Sequence, residues 1–493
     1  MVLSLLLALT LPSEGAAYYF VDAGTRGMAR GGAYIAGNED LTAQYYNPAA
    51  LINLDSGQVM LNFSLVSQKA DFDRIELDSN GEVTRRFEGV DNIASPMRIP
   101  SFGIAHHFGL PDTMFAIGLH PPYAPDKTYT ADGAQRYTLI DAKTTQFYAG
   151  ISGAHQLTDW LTIGAGLLWN MTRARQSLAL NVCNAGKPEE APDGCEESDP
   201  ALTDLQLSMK MLDKGKLTGN VGLLITPHDQ WTIGLSVMPP IDVEGKGRIE
   251  ARFSDDHWLN ALLEDGQTQD DDIRVKMKLP LVIRSGVQFE PQETLAIEFA
   301  AVYEHWSRSE ETRIEDVRAP LTLNSTATAF APDDFDPEVP ITGPVAIPQD
   351  YRNSVSYRLG TEWDARSWIT FRAGVYYEAS AIPDKSLGVS LMDGNKIGYG
   401  VGTTYTPPDL PLSFDIAVSQ AFLGTNEIRN SQLTQLTVPI DPNLAFSDDP
   451  VATNIERGRV VGNGDLTSRL TMLSAGITWY FGKPTPRTHG TSD

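Results

Sequence analysis

Between residues 57 and 481, apolar and polar residues alternate in segments of about ten or more residues. In 468–481, the odd positions from Leu473 onwards are apolar, whereas the even positions hold serine, glycine, threonine and tyrosine. Such alternation is typical of a strand with one face in an apolar environment. About fourteen of these segments can be counted, and short turns alternate with long irregular connections. The pattern predicts an all-β transmembrane fold, an antiparallel outer-membrane β-barrel of about 14 strands.

Tryptophan and glycine positions add to this prediction. Trp160, Trp231, Trp368 and Trp479 fall at segment ends, where membrane proteins carry interfacial aromatic residues. In 395–405, glycine recurs at every second position, which indicates a wall against which something packs closely. A soluble β-sandwich or propeller would also alternate, but the chain has no blade-length repeat, and a sandwich seldom needs so many long strands.

The N-terminal segment does not follow the alternating pattern. Residues 18–55 are rich in glycine and alanine and contain the sequence Asn47-Pro48-Ala49. We predict that they form a hatch inside the barrel of residues 56–481, because small residues allow close packing and Pro48 fixes the backbone. The alternative is an N-terminal loop and short helix that cap a core.

The two ends of the chain carry processing and assembly signals. Residues 1–17 contain an apolar run and a small-residue site and are predicted to be a signal peptide, although a basic n-region is missing. The aromatic residues Trp479-Tyr480-Phe481 resemble the signal that the barrel-assembly machinery reads. Residues 482–493 are polar and are predicted to be a periplasmic tail.

Composition and motif content argue against several classes of protein. The 493-residue chain has a net charge of -25, which argues against a nucleic-acid partner, because phosphate neutralisation needs clustered lysine and arginine. A mean hydropathy of -0.21 excludes a bundle of membrane helices. The eight histidines are scattered, and the common nucleophile, zinc and nucleotide motifs are missing from the sequence. We therefore expect no enzyme activity, no metal and no cofactor.

The only two cysteines, Cys183 and Cys195, bracket a short loop. They lack the close spacing and the neighbouring histidines of a metal or redox site. A disulfide formed in an oxidising compartment fits them better.

Several sequence blocks resemble one family. In the hatch, these are Arg26-Gly27, Gly31-Gly32-Ala33 and Asn47-Pro48-Ala49; in 351–405, they are WITFRAG from Trp368 and GVGTTY from Gly400. The chain resembles the outer-membrane long-chain fatty-acid and hydrophobic-compound transporter family (FadL/TodX/OmpP type). One departure lies in 392–396, which read MDGNK where the family usually has Pro-Asp-x-Asp-Arg.

The resemblance implies a fourteen-stranded barrel with a hatch in the outer membrane of a Gram-negative bacterium. It implies passive uptake of long-chain fatty acids or similar hydrophobic molecules, with hatch-gated release and lateral exit through the barrel wall. An importer of aromatic hydrocarbons or other apolar compounds is the alternative. An outer-membrane enzyme or a general porin ranks lower, since a porin has no N-terminal plug. We expect a monomer.

The resemblance places a wall opening in the third strand, for which the candidate is Thr113–Thr128. Three prolines fall in this stretch, and proline cannot donate to a sheet ladder. The alternative is that the strand ends at His120. The wall-opening candidates are Pro121, Pro122, Tyr123, Ala124 and Pro125.

A fatty-acid carboxylate needs a basic partner inside an apolar cavity. Arg352 is the first candidate, because it precedes Gly360 where the family can carry a base; Arg136 is weaker, and a surface role is open for both. Arg173 and Arg175 continue an outward face, so we expect contact with outer-membrane lipid and lipopolysaccharide phosphate there.

Two long connections are expected on the extracellular side. Residues 253–272 contain a short amphipathic helix amid acids, which is either an exposed capture site for hydrophobic cargo or packed against other loops. Residues 318–349 are predicted to have little regular structure. The capture candidates are Trp258, Leu259, Leu262 and Leu263.

Overall fold

The computed structural model describes residues 23–123, 126–184, 203–326, 328, 338–342, 345–348, 350–440 and 456–481. Fourteen antiparallel strands form a closed barrel, as predicted. The barrel strands are β1 Gly57–Leu77, β2 Met97–His106, β3 Thr113–Tyr123, β4 Asp141–Thr158, β5 Leu161–Asn184, β6 Asp204–His228, β7 Trp231–Met238, β8 Val282–Gln292, β9 Leu295–Glu304, β10 Ser354–Arg366, β11 Ile369–Glu378, β12 Lys396–Tyr405, β13 Leu412–Ile428 and β14 Gly464–Phe481. The barrel closes where β14 pairs with β1, from Gly57 opposite Phe481 to Arg74 opposite Gly464.

The alternation of the sequence matches the two faces of the barrel. In β14, Leu473 is 49 % exposed and Trp479 is 50 % exposed, whereas Ser474 and Thr478 between them are buried. The outward face is therefore apolar and the inward face is polar or small, as expected for a barrel in lipid. No helix in the described part of the chain is long and apolar enough to cross a membrane.

Residues 24–51 of the predicted hatch lie inside the barrel. The hatch contains helix α1 (Thr25–Ala29), helix α2 (Ala43–Tyr46) and a 3₁₀ helix (Pro48–Asn53). Every residue from 24 to 51 is buried except Glu39. Helix α1 contacts β11 to β14, whereas the 3₁₀ helix contacts β4, β5 and β6 on another side of the wall. The segment thus spans the interior from wall to wall.

Opposed glycines in the wall make room for the hatch. Gly164 and Gly222 face each other across β5 and β6, and a Cβ at either would overlap the Asn47-Pro48-Ala49 backbone or side chains. At Gly400, the Met28 carbonyl oxygen occupies the space that a Cβ would need. The prediction that alternating glycines mark a closely packed wall is therefore confirmed. Further wall glycines that face the hatch are Gly103, Gly118, Gly234, Gly286, Gly360 and Gly374.

The extracellular side is a folded layer of extended strands. β5 and β6 run for 24 and 25 residues and continue above the other strands. The additional strands are Val83–Arg86, Val90–Asp91, Asp126–Thr128, Ile241–Phe253, Gln267–Leu279, Glu311–Glu315, Arg318–Thr322, Glu338–Thr342, Val345–Pro348, Thr434–Ile440 and Glu456–Val460, and the 3₁₀ helices are Trp258–Ala261, Trp306–Arg308 and Asp384–Ser386.

The prediction that residues 318–349 have little regular structure is wrong for the part of this range that the structure describes. Arg318–Thr322 pairs with Glu338–Thr342, and Val345–Pro348 pairs with Glu311–Glu315. Proline is tolerated here because a two-stranded ribbon has free edges, where an absent N–H breaks no ladder.

Candidate functional site

The barrel wall is incomplete between β2 and β3. Their ladder begins at His106 opposite Phe115 and ends at Phe102 opposite Leu119. Above this point, the β2 residues 97–101 pair with β1 but have no ladder partner in the described part of β3. We call the space between residues 97–101 and 120–123 the wall gap.

Proline explains where the ladder stops. Pro121 and Pro122 lack the N–H that a sheet ladder needs, and the pairing of β3 with β4 shifts register between His120 and Tyr123. The chains come together again above the gap, where Ile93 N donates to Thr128 O at 2.8 Å. The wall gap is thus bounded below and above by hydrogen-bonded residues.

The sequence candidates for the wall opening lie at this place. Pro121 is buried, and β3 continues through Pro122 to Tyr123 rather than ending at His120. Ala124 and Pro125 lie outside the described residues.

The beginning of the hatch lies directly behind the wall gap. A small cavity of about 20 Å³ separates the two, and His120 at its edge is buried with Nε2 3.2 Å from Gln44 Oε1 of the hatch. The cavity is lined by Ala23, Gly24 and Met28 of the hatch and by Ser64, Val66, Ile99, Ser101, His120, Pro121 and Met472 of the wall. Ala23, Gly24 and Met28 therefore lie behind the gap on its inner side.

Asn47 fastens the hatch to β6. Its Nδ2 donates to Ile35 O and to Leu223 O, both at 3.1 Å, so that one amide joins two hatch segments and the wall. Its Oδ1 accepts from Ala49 N at 3.1 Å and caps the 3₁₀ helix that Pro48 begins. Proline suits this position because its missing N–H has no partner at a helix start.

A buried carboxylate on β9 holds the middle of the hatch. Glu298 Oε1 accepts from Ile35 N at 2.6 Å and Ala36 N at 3.0 Å. Its Oε2 accepts from Gly37 N at 3.0 Å and from Arg30 Nη2 at 3.2 Å. Consecutive backbone N–H groups of this kind form a nest for an anion.

Further charges extend this attachment around the wall. Arg30 Nη1 lies 3.5 Å from Glu362 of β10, which in turn accepts from Arg372 Nε of β11 at 2.7 Å. We call Arg30, Glu298, Glu362 and Arg372 the charge latch. All four side chains are buried.

Helix α1 is held by a separate ion pair. Arg26 Nε donates to Asp415 Oδ1 of β13 at 3.0 Å, and its Nη2 donates to Ser413 and to Tyr480. Arg26 also acts on the hatch carboxylate Asp40, whose pKa is raised by burial against the opposing effect of this arginine. The hatch from Arg26 to Asn47 is therefore fixed at several points.

The two predicted carboxylate partners do not lie free inside the barrel. Arg136 Nε donates to Asp204 Oδ2 at 2.6 Å, so this buried arginine already has an acidic partner. Arg352 is exposed, and its backbone N donates to Ala381 O at 2.8 Å. Neither placement supports the assignment made from the sequence.

Lys127 and Arg284 are buried basic residues in the barrel interior that the sequence analysis did not select. Lys127 Nζ donates to Val389 O at 3.2 Å and to Ser390 O at 3.3 Å, close above the wall gap. The Arg284 guanidinium lies 4.6 Å from the centre of the Tyr45 ring of the hatch. The alternation of Ile283 outward and Arg284 inward was the available signal.

The interior above the hatch combines apolar side chains with a buried charged group, in which Lys396 pairs with Glu378 and Asp393. Val389, Leu391 and Met392 are buried near Lys127, and they belong to one continuous hydrophobic cluster with the extracellular strands. Further members are Leu180, Leu207, Met209, Met211, Ile273, Val275, Met277, Ile314, Trp306 and Tyr351.

The predicted extracellular capture residues are packed as far as they are described. Leu262 is half-buried, and Leu263 is buried and bridges to Leu323. This favours the packed alternative for these two residues. The side chains of Trp258 and Leu259 lie outside the described residues, as do the Cys183 side chain and Cys195, so the disulfide stays a prediction.

Comparison with known proteins establishes the family. The model of the outer membrane protein transport protein family (OMPP1/FadL/TodX) matches residues 6–454. The chain belongs to this family. It is therefore a transporter of hydrophobic compounds in the outer membrane of a Gram-negative bacterium and not an enzyme. No curated protein matches the chain.

Solved structures with the same fold include several members of this family. A Pseudomonas aeruginosa FadL homologue has 17 % identity and a TM-score of 0.68, over 94 % of this chain and 100 % of that one. The Pseudomonas putida toluene transporter TodX has 15 % identity and a TM-score of 0.62, over 94 % and 99 %. The Ralstonia pickettii toluene transporter TbuX has 14 % identity and a TM-score of 0.58, over 94 % and 99 %. At these identities, the likeness concerns the fold alone.

Proposed function

We propose that this transporter mediates passive uptake of long-chain fatty acids or similar hydrophobic molecules, which leave sideways through the wall gap. The observation that carries the proposal is the interrupted ladder between β2 and β3, with residues 23–28 of the hatch behind it. A ladder that is already broken opens to the bilayer without loss of further backbone hydrogen bonds.

Lateral exit suits cargo of this kind. Each CH₂ group gains about 0.8 kcal/mol when it leaves water, so a chain of about 16 carbons gains on the order of 12 kcal/mol by staying in apolar surroundings. A path from the barrel interior through the wall gap into lipid keeps the acyl chain of the cargo out of the aqueous periplasm. Diffusion down a gradient then suffices as the driving force.

Release is assigned to the first residues of the hatch. The charge latch and Asn47 hold the body of the hatch, whereas Ala23 and Gly24 border the small cavity behind the gap. Gly24 has φ of 83°, a backbone conformation that glycine adopts without strain. We therefore assign the opening motion to Ala23 and Gly24, with the hatch body held in place.

Lys127 is our candidate for the carboxylate headgroup. Its Nζ lies inside the barrel near the upper edge of the wall gap and donates to Val389 O and Ser390 O. A buried cation favours an acid over a neutral hydrocarbon, because charge pairing offsets the desolvation of the carboxylate. An importer of aromatic hydrocarbons, the activity named for TodX and TbuX, remains the second candidate, since a broken wall would serve both.

The substitution Lys127→Gln separates the two candidates. Uptake of a labelled long-chain fatty acid and of labelled toluene would be measured in cells without their own transporter. We expect wild type to take up the acid. The uptake rate of Lys127→Gln should be lower than that of wild type by a factor of about ten or more, which is the scale of a lost charge-assisted hydrogen bond. Lys69→Gln is the matched control, because Lys69 is exposed on the outer face.

The outcomes assign the cargo. Equal acid uptake by wild type and Lys127→Gln would remove the headgroup assignment. Uptake of toluene but not of the acid by wild type would contradict the fatty-acid proposal and favour the second candidate.

A further inference from the structure

Basic side chains are concentrated on one outward face of the barrel, above the lipid-facing part of β4 to β6. We call this group the basic patch. Its members are Lys143, Arg173, Arg175, Lys210, Lys246, Arg248 and Arg274. All are exposed on a chain whose net charge is -25, so the patch is a local departure from an acidic protein.

The strand register brings these cations into rows. Lys143 of β4 lies opposite Arg175 of β5, Arg175 lies opposite Lys210 of β6, and Lys210 lies opposite Arg248 of the next strand. Four neighbouring strands thus each contribute one cation to a single row. Directly opposed side chains are about 5 Å apart at Cβ, and like charges at that distance repel each other.

A second row lies two residues lower. Arg173 and Lys246 both lie opposite Leu212 of β6, one on each side, and Lys246 also lies opposite Arg274. Leu212 is 41 % exposed. The row therefore presents an apolar side chain between two cations.

Acidic neighbours neutralise only part of the patch. Lys143 pairs with Asp126, Arg175 with Asp141, Lys210 with Glu250, Arg248 with Glu250 and Asp271, and Arg274 with Asp316. Arg173 and Lys246 have no ion pair or side-chain hydrogen bond within the described part of the chain. These two are the members of the patch without an acidic partner there.

The height of the patch corresponds to the headgroup region of the outer leaflet. Trp160 precedes β5 on the periplasmic side, and Leu167 and Trp169 are exposed to lipid above it. Arg173 lies thirteen residues after Trp160, which is about 43 Å along a strand and about 33 Å along the membrane normal at a tilt near 40°. The apolar band of such barrels is about 25 Å tall, so the patch lies just above it.

We propose that the basic patch binds the phosphate groups of the outer-leaflet glycolipid, lipopolysaccharide. Arginine offers paired donors that match phosphate, and an anionic lipid would supply the acidic partner that Arg173 and Lys246 lack. Leu212 would contact the acyl chains below the phosphates. The site rests on the outer-membrane location and not on which cargo is transported.

The test compares lipids that differ only in phosphate. The purified full-length protein in detergent would be titrated with phosphorylated lipid A and with dephosphorylated lipid A of the same acylation. The variant is Arg173→Gln with Lys246→Gln. It removes the two unpaired cations, and no carboxylate loses an ion-pair partner. The control is Lys69→Gln with Arg469→Gln, an exposed and directly opposed pair on β1 and β14 with the same charge change.

We expect wild type and the control to bind phosphorylated lipid A more tightly than the dephosphorylated form. The double variant should lose about 30-fold in affinity for the phosphorylated lipid, since each surface cation contributes roughly fivefold. Heat-modifiable migration would verify that every variant is folded. Equal binding of both lipids by wild type, or an equal loss in the variant and the control, would overturn the proposal.

Discussion

Replacing Glu298 by glutamine tests whether the charge latch holds the hatch in place. The change keeps the shape of the side chain and removes its charge. One amide oxygen still accepts from Ile35 N and Ala36 N, but an NH₂ group then faces Gly37 N and Arg30, which are themselves donors. Gly37 N loses its acceptor, and Arg30 Nη2 loses one of two, because it still donates to Gln288 Oε1 at 3.0 Å.

The magnitude follows from these contacts. A buried donor without an acceptor costs about 1–3 kcal/mol, and breaking a buried ion pair costs about 3–5 kcal/mol. Arg30 retains Glu362 at 3.5 Å, which places the expected cost at the lower end. A loss of about 3 kcal/mol raises the ratio of open to closed hatch roughly 150-fold, since 1.4 kcal/mol corresponds to tenfold.

The assay is ion current through single barrels in planar lipid bilayers, together with the sensitivity of cells to a large polar antibiotic. We expect rare openings in wild type and frequent openings in Glu298→Gln. Glu293→Gln is the control, because Glu293 is exposed in the turn between β8 and β9. A folded Glu298→Gln barrel with the current and antibiotic sensitivity of wild type would refute the latch.

Three further predictions concern other parts of the molecule. Gly222→Val should displace Asn47, because even a Cβ at this position overlaps Asn47 Oδ1, and raised conductance of a folded barrel is the expected result; unchanged conductance would contradict the close packing. Replacing Pro121 and Pro122 by alanine restores two N–H donors, so we expect the ladder to extend across the gap and fatty-acid uptake to fall several-fold, whereas uptake at the wild-type rate would speak against lateral exit. Burial lowers the pKa of His257 in an extracellular loop to about 4, below its unfolded value of about 6.5. The stability that its neutral form contributes is fully present above about pH 6.5 and is lost as the pH falls toward 4. Protection of its loop from hydrogen exchange, corrected for the intrinsic rate, should fall in that window in wild type but not in His257→Phe.

Much of the barrel could be predicted from local pattern. Alternation in segments such as 468–481 fixes which side chains meet lipid, because a strand has a period of two. The glycines of 395–405 indicated a packed wall for the same reason. Asn47-Pro48-Ala49 was identified as part of the hatch, and the structure adds the partners Ile35 and Leu223, which no local pattern specifies.

The charged interior could not be predicted in the same way. The partners Arg30 and Glu298 are separated by 268 positions, so only the closed barrel brings them together. Arg136 and Arg352 were chosen from sequence position, but a cation's role depends on its neighbours, and Asp204 already accepts from Arg136. The alternation of outward and inward residues along β8 would have indicated that Arg284 points into the barrel. It gives no information about the contact between Arg284 and the Tyr45 ring.

The most direct test of lateral exit is to locate the cargo in the wall. Cells that carry the wild-type protein would be given a long-chain fatty acid with a photoreactive group near its methyl end, and the labelled residues would be mapped by mass spectrometry. Lateral exit predicts adducts at the edges of the wall gap, on Ile99, Ser101 or Pro121. Adducts confined to the periplasmic end of the barrel, with none at the gap, would contradict it.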